Sequence, residues 1–116
     1  MKAMLSEIIG SDTPIISESI IEVRDYRDYY KYLNCDLFTV VMTEFKGYSL
    51  SLFVDDEGLL KHNYGREVFG YPEPLFGNIV ITGGVDCEGN TLPIPDGINL
   101  TDMVELISEI KYESRG

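Results

Sequence analysis

The chain has 116 residues, of which 20 are Asp or Glu and 9 are Lys or Arg, so its formal net charge is −11. That length predicts one domain spanning residues 1–116, and 44% hydrophobic with 25% charged residues is the composition of a folded chain rather than a disordered one. The deficit of bases argues against direct nucleic-acid binding, because affinity for phosphates comes from Lys and Arg displacing counterions.

No apolar run nears the roughly 20 residues of a membrane helix, and Glu7 arrives before a leader-like apolar stretch can form. A soluble intracellular protein, with no membrane partner, is the expectation. Cys35 and Cys87 belong to no CxxC pair and read as buried or half-buried free thiols.

In chain order, Leu5, Ile8 and Ile9 and then Ile15, Ile16 and Ile20–Val23 flank the turn signal Gly10-Ser11-Asp12-Thr13-Pro14, which predicts two short strands. Tyr26, Tyr29, Tyr30 and Leu33 then fall at i, i+3, i+4 and i+7, a short helix with Asp25 placed to cap its start and Asn34 to end it. Its tyrosines lack the basic groove of a base-stacking platform and are expected to pack on a sheet.

Residues 37–45 are apolar on both faces, the pattern of a central strand, whereas Tyr48, Leu50, Leu52 and Val54 alternate with Ser49 and Ser51, as in a strand with one wet face. Lys46-Gly47 joins them as a hairpin. Val54-Asp55-Asp56-Glu57-Gly58 returns as Val85-Asp86-Cys87-Glu88-Gly89, and each copy reads as a tight turn in which Asp bonds the backbone and Gly takes a positive φ. Neither copy has the spacing of a calcium loop, so no metal is expected.

Residues 64–76 read as a loop rich in aromatic residues and proline, with Tyr64, Phe69, Tyr71 and Phe76 as candidate ligand contacts. Asn78–Thr82 is a further strand. A last helix is expected after Asn99 or Thr101, with Met103, Leu106, Ile107 and Ile110 facing the core.

Catalytic motifs are absent. GxSxG, HExxH and CxxC do not occur, and the glycines around 77–84 lack the Gly-Lys-Ser/Thr ending of a phosphate loop, so no cofactor is expected. His62 stands alone and reads as a surface loop residue, with a hydrolase using His62 as the minority alternative. Asp55, Asp56 and Glu57 are consecutive on a turn and diverge. In the last helix Asp102, Glu105, Glu109 and Glu113 follow at spacings of 3, 4 and 4, an acidic stripe with a rise of about 5–6 Å per carboxylate; taken alone it reads as an ordinary solvated face, and the alternative is a surface that occupies a Lys/Arg groove built for nucleic acid.

The segments Asp25–Asp36, Val54–Lys61 and Leu75–Ile81 resemble the domain-of-unknown-function family numbered 3846, found on phages, plasmids and conjugative elements of Gram-positive bacteria. The resemblance covers roughly residues 20–110 and brings no catalytic residues. It implies a mobile-element setting, in which small acidic proteins block host machinery, anti-restriction and anti-CRISPR proteins among them.

Together these readings predict an α+β domain, an antiparallel sheet of about five strands covered by two helices. The expected function is non-enzymatic: binding the basic surface of a host defence complex through Asp102, Glu105, Glu109, Glu113, Asp55, Asp56 and Glu57. The alternative is a small binding or oligomerising module that recognises a ligand or protein through the aromatic 64–76 loop.

Overall fold

The computed structural model describes residues 1–113. The chain begins with β1 (Lys2–Ile9) and β2 (Ile15–Glu22), paired antiparallel from Lys2↔Glu22 to Ile9↔Ile15, with Gly10 at φ +96° opening the turn between them. Helix α1 (Arg27–Leu33) follows; the Asp25 carboxylate accepts the Arg27 N–H just ahead of it, and Asn34 at φ +53° ends it in the left-handed region. The expected 37–54 hairpin is β3 (Phe38–Phe45) and β4 (Tyr48–Asp55), closed by Lys46-Gly47 with both residues at positive φ.

Beyond β4 come α2 (Gly58–Lys61), β5 (Tyr64–Val68), β6 (Tyr71–Phe76), β7 (Ile79–Gly83), a 3-10 turn at Leu100–Asp102, α3 (Met103–Leu106) and β8 (Tyr112–Glu113). The strands form a five-stranded antiparallel sheet in the order β2-β1-β7-β4-β3 and a three-stranded sheet in the order β6-β5-β8. The fold is α+β and mostly strand. Among the described residues no helix is long and apolar enough to cross a membrane.

Two apolar layers hold the domain together. One lies between the sheets, where Met4, Leu50, Leu52, Ile79 and Ile81 meet Val68, Leu75, Met103 and Leu106. The other seats α1 on the opposite face, where Tyr29 and Leu33 pack on Ala3, Leu5, Phe53 and Val80. Tyr29 stacks on Phe53 with ring centroids 4.0 Å apart, so this tyrosine serves packing, as its spacing predicted. Each fully buried aliphatic of these layers contributes roughly 1.5–3 kcal/mol of transfer free energy.

Four expectations are corrected. First, β3, read as central, is an edge strand, and β4, read as half wet, is interior: residues 50–55 are all buried, Ser51 among them. Which strand is interior depends on the later arrival of β7, which pairs Leu50–Phe53 with Gly83–Val80. Second, the 64–76 loop is the β5–β6 hairpin. Its prolines, Pro72 and Pro74, sit on an edge strand, where a missing N–H breaks no ladder bond, and Gly70 at φ +78° makes the turn.

Third, the last helix stops at Leu106 instead of running past Ile110. Ile107 bridges Val68, the Ser108 N–H donates to the Glu67 carbonyl and the Lys111 N–H to the Gly65 carbonyl, so the segment is drawn off as a strand along β5. The second sheet thus shares with the short α3 the face where a second helix was expected. Fourth, the two Asp-x-Glu-Gly turns differ. Asp86 accepts the N–H groups of Glu88 and Asn90, and Gly89 takes φ +84° as predicted, but Gly58 in the first copy opens α2 rather than closing a hairpin.

Candidate site: the clefts around Asp55 and His62

Interior strand β4 ends in Asp55, which it delivers to the end of the sheet as a carboxylate only 5% exposed. Oδ1 accepts the Glu57 N–H at 2.9 Å, and Oδ2 lies 2.8 Å from Nε2 of His62, just past α2. The imidazole lies against Gly77, where a Cβ would come within 2.7 Å of the ring carbon Cδ2. His62 is therefore a half-buried, partnered side chain and not the surface residue its isolation in sequence suggests. A carboxylate on one ring nitrogen fixes the orientation of the imidazole.

Two clefts open beside this pair. The smaller, about 180 Å³, is polar and is lined by His62, Lys61, Ser11, Tyr64 and Asn78; the Tyr64 hydroxyl donates to the Ser11 carbonyl. The larger, about 400 Å³, lies between the sheets. Thr39, Val41 and Val54 form one wall, Tyr71, Pro74, Leu75 and Phe76 the other, and Asp55, Asp56 and Glu73 bring three carboxylates to it. Asp56 and Glu73 are exposed.

The residues singled out from the sequence are thus divided. Of the turn acids, Asp55 is engaged by His62, Glu57 pairs with Lys61 at 3.4 Å, and Asp56 faces the larger cleft. Of the aromatic set, Tyr71 and Phe76 line the same cleft; Tyr64 stands at the smaller one, and Phe69 is exposed at the hairpin turn, edge-on to Phe45 at 5.5 Å.

The acidic stripe does not exist as a helix face. Asp102 is buried and bonded to Lys46 and the Asn99 N–H, Glu105 lies on α3, Glu109 lies beyond it, and Glu113 belongs to β8. The Lys46 hydrogen bond, and after it the Asn99 amide, holds the Asp102 carboxyl below the usual carboxylate range.

Sequence reasoning missed Glu73, Thr39 and Val41, whose role depends on which sheet faces which. It also missed Arg66, which has no exposed surface. Its guanidinium donates to the Ser6 hydroxyl and, at 3.1 Å each, to the Ser6 and Gly77 carbonyls, tying the two sheets together. Burial pushes its pKa down to about 10, with Glu18 opposing that effect.

Cys35 is half-buried, its thiol pushed up by burial and then by Asp55, whereas Cys87 is exposed, contrary to expectation. Among the described residues no three His, Cys, Asp or Glu side chains gather in a way that holds a metal ion.

One family matches this chain, described as Domain of unknown function (DUF3846), over residues 11–107. The chain belongs to the DUF3846 family. No curated protein and no solved structure matches it. The matched DUF3846 region runs from the first turn to α3 and contains every residue that lines the larger cleft, together with the Asp55–His62 pair. Strand β1 precedes that region, although it sits between β2 and β7 in the sheet.

Proposed function

We propose that this DUF3846 protein is a non-enzymatic binding module whose inter-sheet cleft takes a basic segment of a partner protein. The observation that carries this reading is the pairing of apolar walls, Val41, Tyr71 and Phe76, with the exposed carboxylates of Asp56 and Glu73 in one cleft. Lys and Arg have that same division, an apolar stem and a charged head. The net charge of −11 adds a long-range pull on such a partner, which raises the rate of encounter more than the final affinity.

A host defence effector, whose positive channels hold nucleic acid, is the partner class favoured by the mobile-element setting that the family resemblance implies. In this form the reading places the protein in the bacterial cytoplasm, working by occupying a basic surface. The contact then rests on the cleft acids rather than on a regular helical imitation of phosphates, because Asp102, Glu105, Glu109 and Glu113 lie on different elements.

The test is a titration of the folded protein with Lys/Arg-rich peptides, comparing wild type with Asp56→Lys/Glu73→Lys. Loss of binding in the double variant at unchanged melting temperature is expected; equal binding by both proteins sinks the reading.

A second reading is favoured by the Asp55–His62 distance of 2.8 Å: an oriented imidazole beside a polar cleft is the arrangement of a general base. It predicts turnover of a small ester that disappears in His62→Ala.

A further inference from the structure

We propose that the basic partner binds as an added β-strand on the free edge of β3. This rests on the cleft reading above and goes further, specifying the backbone conformation and residue pattern of the partner. Among the described residues no strand pairs with the outer side of β3, which is the last strand of the order β2-β1-β7-β4-β3.

The direction of its backbone groups follows from the hairpin. A two-residue turn makes Phe45 and Tyr48 the hydrogen-bonded pair, and bonded pairs then recur at every second residue, Thr43↔Leu50, Val41↔Leu52 and Thr39↔Val54. The bond from the Asp56 N–H to the Leu37 carbonyl continues the same series. The N–H and C=O groups of Val40, Met42 and Glu44 therefore turn outward.

The other edges are protected or short. β6 carries Pro72 and Pro74, β2 carries Glu18 and Glu22, and β8 has two residues, all recognised ways of blunting an edge. By contrast, Phe38–Thr43 contains no proline, no glycine and no charge, and Val40 and Met42 are 43% and 50% exposed. An unprotected edge of this kind accepts an extended segment through main-chain hydrogen bonds.

Charge decides the occupant. Asp36 precedes the strand, Glu44 lies near its end, and Asp56 and Glu73 face the cleft beside it. A second copy of this chain would bring another −11 to the same edge, whereas a basic segment is attracted.

The side-chain pattern follows as well. Thr39 and Val41 line the cleft, so Val40 and Met42 lie on the opposite face. A strand laid beside β3 would place alternate side chains in the acidic cleft and the rest against Val40 and Met42. The matching sequence alternates Lys or Arg with Val or Ile.

The probe is a peptide of about eight residues with that alternation, roughly the length of one strand, and its control is the same peptide N-methylated at alternate residues. Methylation keeps every side chain and charge but removes donors from the ladder. Binding by the free peptide, weakened about tenfold by methylation on one of its two edges, is expected, as is slowed amide exchange at Val40 and Met42 in the unaltered protein. Val40→Pro, which removes an outward N–H and no bond to β4, should fold and weaken binding by at least the same factor.

If methylated and free peptides bind alike, and Asp56→Lys/Glu73→Lys weakens both, the cleft reading stands and strand addition is overturned. If neither peptide binds, both fall. Dimerisation through β3 seen by sedimentation and untouched by peptide makes a second copy the occupant and likewise overturns the proposal.

Discussion

The Nε2 of His62 lies 2.8 Å from Oδ2 of Asp55, whose side chain is 1% exposed, so the one histidine of the chain is fastened to the end of an interior strand. The bond closes the segment 55–62 on itself: Asp55 also holds the Glu57 N–H, and between the two residues runs the single turn of α2. It sets the end wall of both clefts, because Asp55 lines the larger and His62 the smaller.

Removing the imidazole should therefore act on stability first. His62→Ala leaves a buried carboxylate with one of its two partners, at an expected cost of about 2 kcal/mol. His62→Gln, whose amide can donate from a similar position, should recover part of the loss. Denaturant melts of the two variants against wild type measure both effects.

Arg66 gives a second prediction. One guanidinium reaches three acceptors, on β1 and on the β6–β7 connection, and an ammonium in its place cannot reach all of them. Arg66→Lys should lower stability by about 3 kcal/mol, the size seen when buried polar pairings are broken. A melting temperature unchanged from wild type would mean that the two sheets are held together without it.

The Lys46–Asp102 pair predicts a pH dependence. Its hydrogen bond holds the Asp102 carboxyl below, and the Lys46 ammonium above, their ordinary values. A depressed carboxyl contributes stability above its unfolded pKa of about 3.9 and loses it as pH falls through the folded value; a raised ammonium contributes below about 10.4 and loses it as pH rises through its own. Asp102→Asn should thus melt below wild type at neutral pH, with the gap closing in acid. The experiment is a set of thermal melts across pH.

Gly83→Ala tests a close approach of backbone to backbone. A Cβ on this last residue of β7 would lie 2.4 Å from the Pro93 carbonyl oxygen, so either the strand or the 92–94 segment must shift. The expected cost is roughly 1–3 kcal/mol, as for overpacking elsewhere. Gly47→Ala meets nothing within 4 Å, and its cost should come only from the φ of +81°.

Reversing Glu105 and Glu109 should weaken a basic peptide less than reversing Asp56 and Glu73, because the former pair lies outside the residues that line the cleft. Parallel titrations of the two double variants decide between a general acidic surface and a located site.

Elements whose partner is near in sequence were legible from the residues. The β1–β2 pair, α1 with its Asn34 terminus and the β3–β4 hairpin all close over turns of a few residues, so hydrophobic period and turn chemistry are enough. The C-terminal acids show the opposite case. Their 3-4-4 spacing is genuinely helical, yet β5 offered an unpaired edge, and the ladder along Gly65–Val68 outweighed roughly one turn of isolated helix. The candidate site was half legible: Asp55, Asp56, Tyr71 and Phe76 stand out as residue types, while Glu73 and the partner of His62 do not.

From the amino-acid sequence alone follow an acidic, single-domain α+β chain, its local hairpins, and the family to which it belongs. Tertiary structure decided which strands lie at the edge, that a second sheet together with the short α3 covers the face of the first sheet opposite α1, and that Asp55 meets His62 while Tyr71 meets Asp56 across a cleft. The physical reason is that a residue pattern encodes which face of an element is apolar but not which distant element will cover it. That choice is made by the summed burial and hydrogen bonding of pairings between residues far apart in the chain, and no local window of sequence contains them.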